Sequence, residues 1–181
     1  MLKLETARLL LRPVGFFDRE SIFAYRSDAS ANRYQGWIPS CIEDVDIFIR
    51  KLADVPDVTD TWFQLGIVEK ASTQLIGDIG LHFLPDEQME IGYTLNLAFQ
   101  KMGYATEALK RVVDYLFIDL GKHRIIASID PDNTDSIRLV KRLGFRKEGH
   151  FIESVLQNGK WVDDVVYALL AREWCKRDAI E

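Results

Sequence analysis

Apolar and polar positions in this chain follow two rhythms, one of period two and one near 3.6, and the switches between them mark its elements. Over 103–120 the apolar residues fall at Ala105, Ala108, Leu109, Val112, Val113, Leu116, Phe117 and Leu120. This i, i+3, i+4, i+7 spacing predicts a helix with one buried stripe. Over 87–97 the pattern alternates: Met89, Ile91, Tyr93, Leu95 and Leu97 share one face, while Glu90, Gly92, Thr94 and Asn96 share the other. That predicts a strand.

The remaining elements follow by the same reading. An opening strand over 3–12 leads through Pro13 and Gly15 into a helix over 18–26, with Asp18 as its N-cap. A loop containing Asn32, Gly36 and Pro39 precedes a helix over 43–53. Strands over 62–69 and 74–84 are joined by the polar turn Lys70-Ala71-Ser72-Thr73, and Pro85-Asp86 turns the chain into the strand over 87–97. Past the long helix come a β-branched strand over 123–129 and a helix over 134–143 ended by Gly144, a left-handed C-cap. Strands over 145–156 and 160–170 pair through the hairpin turn Asn158-Gly159. Hairpins followed by β-α-β-α-β-β predict an α/β (α+β) fold with a mixed, mostly antiparallel sheet of about seven strands. With 181 residues and no repeat or linker, a single domain over 1–181 is expected.

Composition narrows the function classes. No apolar run approaches the roughly 20 residues of a membrane helix, and the start, Met1-Leu2-Lys3-Leu4-Glu5, lacks the apolar core of a signal peptide. Cys41 and Cys175 lie outside any metal-ligand spacing, so neither a disulfide framework nor a metal site is expected. These features favour a cytoplasmic protein with no membrane partner. A net charge of −5 argues against non-specific nucleic-acid binding. Basic residues nonetheless crowd one region: Lys101, Lys110 and Arg111, then Arg138, Lys141, Arg142, Arg146 and Lys147. They read either as solvated helix faces or as a rim for phosphates.

The segment in front of the long helix carries the candidate chemistry. In Gln100-Lys101-Met102-Gly103-Tyr104-Ala105 a glycine allows close approach to the backbone just where first-turn N–H groups and the helix dipole favour an anion. Taken alone, this is also how a plain helix start after a strand would look. One glycine without Gly-x-Gly-x-x-Gly, and no following Gly-Lys-Ser/Thr, excludes the dinucleotide and P-loop fingerprints.

The loop resembles the Gln/Arg-x-x-Gly-x-Gly/Ala pyrophosphate loop of the GNAT family of acyl-CoA N-acyltransferases. Four further stretches resemble that family's RimJ/RimL branch. They are the opening Thr6-Ala7-Arg8-Leu9-Leu10-Leu11-Arg12-Pro13, the helix entry Asp132-Asn133-Thr134-Asp135-Ser136, the late Leu143-Gly144-Phe145-Arg146-Lys147-Glu148-Gly149, and the final Asn158-Gly159-Lys160-Trp161-Val162-Asp163. The resemblance implies a twisted sheet with helices on both faces and a splay between its fourth and fifth strands, here 87–97 and 123–129. It also implies acetyl-CoA as co-substrate, an amine acceptor such as a protein N-terminus or a small amine, and direct attack in a ternary complex. The backbone of Met102, Gly103, Tyr104, Ala105 and Thr106 would hold the diphosphate, flanked by Gln100 and Lys101. The strand end from Leu95 to Leu97 and Asn133 would hold the pantetheine arm, Asn133 also serving as a helix cap. Ser136 would protonate the leaving thiolate, or else bond its own backbone.

The proton acceptor is open on sequence. Glu90 beside the splay is one candidate, His82 a second, and a water chain a third. Tyr93, on the face opposite Glu90, reads as packing. The loop Tyr34-Gln35-Gly36-Trp37-Ile38-Pro39 would form the acceptor pocket, shaped by Tyr34, Trp37 and Trp62 unless Trp62 packs in the core, and Asp163-Asp164 would suit a cationic acceptor. A cofactor-binding sensor without turnover is the competing reading, and the sequence is compatible with a homodimer.

Overall fold

Strand pairing organises the molecule, whose computed structural model describes residues 2–157 and 159–176. Eight strands form one sheet: β1 (Leu4–Glu5), β2 (Leu9–Pro13), β3 (Thr61–Glu69), β4 (Leu75–Phe83), β5 (Gln88–Leu95), β6 (Arg124–Ile129), β7 (Arg146–Gln157) and β8 (Lys160–Leu170). Their spatial order is β1-β2-β3-β4-β5-β6-β8-β7, and every neighbouring pair is antiparallel except β5 and β6. The helices are α1 (Arg19–Arg26), α2 (Ile42–Arg50), α3 (Tyr104–Asp114), α4 (Thr134–Arg142) and α5 (Ala171–Cys175). The hairpin turn expected at Asn158-Gly159 includes Asn158, which lies outside the described residues; Gly159 has φ of 77°.

Alternation along the strands assigns the two faces. Phe63, Leu65 and Leu81 share one face with Met89, Ile91, Ile125, Ala127, Tyr167 and Leu169, and they are buried together with α3, α4 and Trp174 of α5. The opposite face is partly covered by α1 and α2, whose Ile22, Tyr25, Val45 and Ile49 form a smaller core. Under α1 the buried Asp78 accepts hydrogen bonds from Tyr25, Arg26 and Gln64. Arg26 thereby supplies the opposite charge that a buried carboxylate requires. The expected helices on both faces are present.

Three expectations change in detail. The opening strand is broken at residues 6–8 into a hairpin, Leu4 pairing with Leu11, which raises the count from about seven to eight. The cause lies in α3: the Glu107 carboxylate accepts from Thr6 Oγ1 at 2.6 Å, Arg8 N at 2.9 Å and Arg8 Nε at 2.7 Å. Asp18 holds the N-cap position of α1 as expected, but its side chain makes no capping hydrogen bond there. It closes a 3-10 turn, Phe16–Asp18, by accepting from Gly15 N at 3.0 Å, and its carboxylate pairs with the Arg12 guanidinium. The long helix leaves regular α geometry after Asp114 and finishes as a wider π turn, Tyr115–Asp119.

The Glu107 latch makes a pH-dependent prediction. Burial raises its pKa, but hydrogen bonds from Thr6 and Arg8 outweigh this and hold it below the ordinary 4.5. A depressed carboxylate stabilises the fold above its unfolded pKa and loses that contribution as pH falls through the lower folded value. Glu107→Gln is therefore expected to cost about 1–2 kcal/mol at neutral pH. Thermal melts of both proteins between pH 7 and about pH 3 should show the gap narrowing on acidification.

Candidate active site

A left-handed glycine opens α3. Gly103 has φ of 84° and directly precedes the helix as its N-cap residue. The first-turn N–H groups of α3 have no carbonyl one turn earlier to receive them. Arg8 braces this entrance: its Nη1 donates to Met102 O at 3.0 Å and its guanidinium lies 4.3 Å from the centre of the Tyr104 ring. The Tyr104 hydroxyl donates to Glu69, which pushes the phenol pKa up. From α4, Arg142 Nη1 donates to Thr106 Oγ1 at 3.2 Å, bringing one member of the basic cluster to the helix entrance. Arg146, by contrast, is tied to Glu148 and Glu173 away from it.

The parallel strands diverge just beside this entrance. They pair at Gln88–Arg124, Met89–Ile125 and Glu90–Ile126, and then β5 continues to Leu95 and β6 to Ile129 without pairing to each other. Asn96 N donates to Ile76 O on β4, so the even-numbered residues of β5 bond to β4. Ile91, Tyr93 and Leu95 consequently turn their backbone groups into the gap. Two of those carbonyls are met by side-chain amides: Gln35 Nε2 donates to Tyr93 O at 3.2 Å and Gln100 Nε2 to Leu95 O at 3.0 Å. Backbone acceptors met by side-chain amides, and not by a strand, are groups that an amide-bearing ligand could take over. β5 ends at Leu95 instead of reaching Leu97, which lies exposed in a 3-10 turn, Leu97–Phe99.

A cavity occupies the gap, lined by Tyr34 and Gln35, by Gly92 and Tyr93 of β5, by Ser128 of β6, and by Asn133 and Ser136 at the start of α4, among others. Asn133 Oδ1 accepts from Ser136 N at 3.2 Å, so the asparagine caps α4 as expected. Ser136 Oγ accepts from the Tyr93 hydroxyl at 3.0 Å. Burial pushes the Tyr93 pKa up to about 12, so this donor keeps its proton throughout the physiological range. Because Ser136 Oγ accepts that proton, its own hydrogen is left for another acceptor. Tyr93 thus does more than pack.

Glu90 stands at the last paired position of β5, on the opposite face, and is not among the residues lining the cavity. Its carboxylate lies 3.5 Å from His82 Nδ1, and His82 stacks on the half-exposed Trp62 with ring centres 4.6 Å apart. Trp37 stacks on Phe48 instead of lining the cavity, while Tyr34 and Gln35 do line it.

Comparison with known proteins resolves which family builds a site this way. The family described as Acetyltransferase (GNAT) domain matches residues 8–146. The chain belongs to the GNAT family. It is 32% identical over 173 residues to the Bacillus subtilis (strain 168) protein named Uncharacterized N-acetyltransferase YnaD, covering 93% of this chain and 97% of that one. The crystal structure of a GNAT-family acetyltransferase from Bacillus anthracis superposes with a TM-score of 0.85 at 30% identity, covering 95% of this chain and 100% of that one. A ribosomal protein uS5-alanine N-acetyltransferase from Escherichia coli (strain K12) is 37% identical over 84 residues, 46% of this chain and 43% of its own. The chain is accordingly an N-acetyltransferase of the GNAT type.

Of the residues singled out on sequence, Gly103, Tyr104, Ala105 and Thr106 form or follow the helix entrance, with Gln100, Lys101 and Met102 leading into it. Asn133 and Ser136 meet at the gap beside Tyr93. Sequence reasoning missed Arg8, Tyr93 and Ser128 as site residues. Only Tyr93 carried a usable signal, since a GNAT splay places residue 93 past the last strand pairing.

Proposed function

We propose that this GNAT enzyme transfers the acetyl group of acetyl-CoA to a primary amine by direct attack in a ternary complex. The observation that carries the reading is the Tyr93–Ser136 hydroxyl pair, set in a strand gap beside the N-terminus of α3. When bound, acetyl-CoA supplies an activated thioester, and positioning then accounts for much of the rate.

In this reading the N–H groups around Met102, Gly103, Tyr104, Ala105 and Thr106 hold the diphosphate, with Gln100 and Lys101 at its flank. Backbone groups of Tyr93 and Leu95 bond the pantetheine arm after Gln35 and Gln100 swing away, Asn133 borders it, and Leu97 shields it from solvent. Ser136, oriented by Tyr93, donates its hydrogen to the departing sulfur. Glu90, with His82 beside it, takes the amine proton through water, one of the routes left open on sequence. The amine enters from the face opposite α3 and α4, so nucleophile and leaving group are on opposite sides of the sheet. A protein N-terminus or a small amine fits; the uS5-alanine N-acetyltransferase relative supports the former.

The test is thiol release from acetyl-CoA across N-terminal peptides, polyamines, amino acids and aminoglycosides, with products read by mass. Acetylation of at least one amine is expected. Tight CoA binding with no thiol release on any acceptor would instead make the chain a cofactor-binding sensor.

A further inference from the structure

Among the described residues three carboxylates are buried: Asp18, Asp78 and Asp164. Asp18 faces the Arg12 guanidinium and Asp78 that of Arg26. Asp164, 9% exposed on β8, is different. Its hydrogen-bond partner is a neutral hydroxyl, Ser128 Oγ, which donates to Asp164 Oδ1 at 2.8 Å. Among the described residues no cation pairs with it. A buried carboxylate satisfied only by a hydroxyl is costly to maintain.

The hydroxyl it holds is placed for chemistry. Ser128 lies on β6 two residues past the last pairing with β5, it is exposed although its strand is central, and it lines the cavity. Its hydrogen is committed to Asp164, so toward the cavity Ser128 Oγ offers lone pairs only. Ser136, across the gap, is the converse: it accepts from Tyr93 and has its hydrogen to give. The two serines also lie on opposite faces. Ser136 and Tyr93 are on the side of α3 and α4, whereas Ser128, by its register with Val166, shares the other face with Glu90 and Gly92.

We infer that Ser128, backed by Asp164, is the proton-accepting side of the cavity. The inference rests on the transferase reading above. As the C–N bond forms and the C–S bond breaks, the nitrogen's surplus proton passes to Ser128 Oγ while the Ser128 hydrogen passes to the Asp164 carboxylate. Ser136 gives its hydrogen to sulfur, and both sites reset by exchange with solvent. Ser128 is the catalytic residue in this scheme and Asp164 the positioning residue behind it. Glu90, paired with His82 off the cavity lining, acts only through water and not on the amine itself.

The test compares Asp164→Asn, Asp164→Ala, Ser128→Ala and Glu90→Gln in the full chain, using whichever amine the acceptor screen returns. Asp164→Asn preserves size and an acceptor for Ser128, so it tests the relay even should the alanine variant fold poorly. Both Asp164 variants and Ser128→Ala are expected to lose at least about tenfold in kcat, with KM for acetyl-CoA changed less than about twofold and a smaller loss in Glu90→Gln. Added formate should restore turnover to Asp164→Ala but not to Ser128→Ala, an effect that a purely structural role for Asp164 would not produce. Normal turnover in Asp164→Asn and Ser128→Ala overturns the relay and leaves the transferase reading standing, as does a loss confined to Glu90→Gln. No thiol release by the unaltered protein on any amine overturns both.

Discussion

Gly103→Asp is expected to raise the CoA dissociation constant by at least about a hundredfold, close to 3 kcal/mol. Two effects act together. A left-handed backbone costs a non-glycine residue roughly 1–2 kcal/mol, and φ at this position is 84°. Relaxation of that strain rotates the neighbouring N–H groups off the diphosphate. The new carboxylate also stands where an anion must sit, and a Cβ at this position would lie 3.4 Å from Arg8 Nη2. Arg8 would turn to the aspartate, removing a favourable charge from the helix entrance. Gly103→Ala separates the two effects, because it keeps the strain without the charge; a loss of about tenfold is expected from the first alone. Calorimetric titration with CoA measures both variants, and unchanged affinity in Gly103→Asp would remove the diphosphate from this loop.

Ser136→Ala is expected to lower kcat by about a hundredfold, the lower end of what a positioned acid supplies. The KM for acetyl-CoA should move by less than about twofold, because the hydroxyl acts on sulfur only as the C–S bond breaks. Tyr93→Phe should reproduce most of this loss in the native background. On a Ser136→Ala background it should cost almost nothing further, since the tyrosine acts through the serine. Additive losses would instead mark Tyr93 as packing or as an independent acid. Because burial raises the Tyr93 pKa to about 12, its contribution is lost as pH rises through that value.

How far the sequence foretold this site depends on the range of the contacts involved. Helix α3 and strand β5 were legible because periodicity reports a stripe or a face directly. The Asn133–Ser136 cap was legible because its partners are three residues apart. Tyr93 was misread because alternation names the face but not its depth: on one face of β5, Met89 and Ile91 reach the core whereas Tyr93 lies past the divergence from β6. The break in the opening strand was hidden for another reason. Glu107, which pins Thr6 and Arg8, lies about a hundred residues away in sequence, and no local pattern announces such a contact. Ser128 and Asp164 are likewise joined only by the pairing of β6 with β8. Asp163-Asp164 looked like one acidic pair in the sequence. In the fold Asp163 accepts from Glu153 N at the β7 bulge and pairs with His150, while Asp164 turns to Ser128.

A crystal structure with CoA and a non-reactive acceptor amine tests the central claim most directly. It should place the diphosphate within hydrogen-bond distance of the N–H groups that follow Met102, and the pantetheine amides against Tyr93 and Leu95 with Gln35 and Gln100 displaced. It should also bring the sulfur to Ser136. A diphosphate bound elsewhere, or a gap that stays closed by those two glutamines with CoA present, would contradict the account.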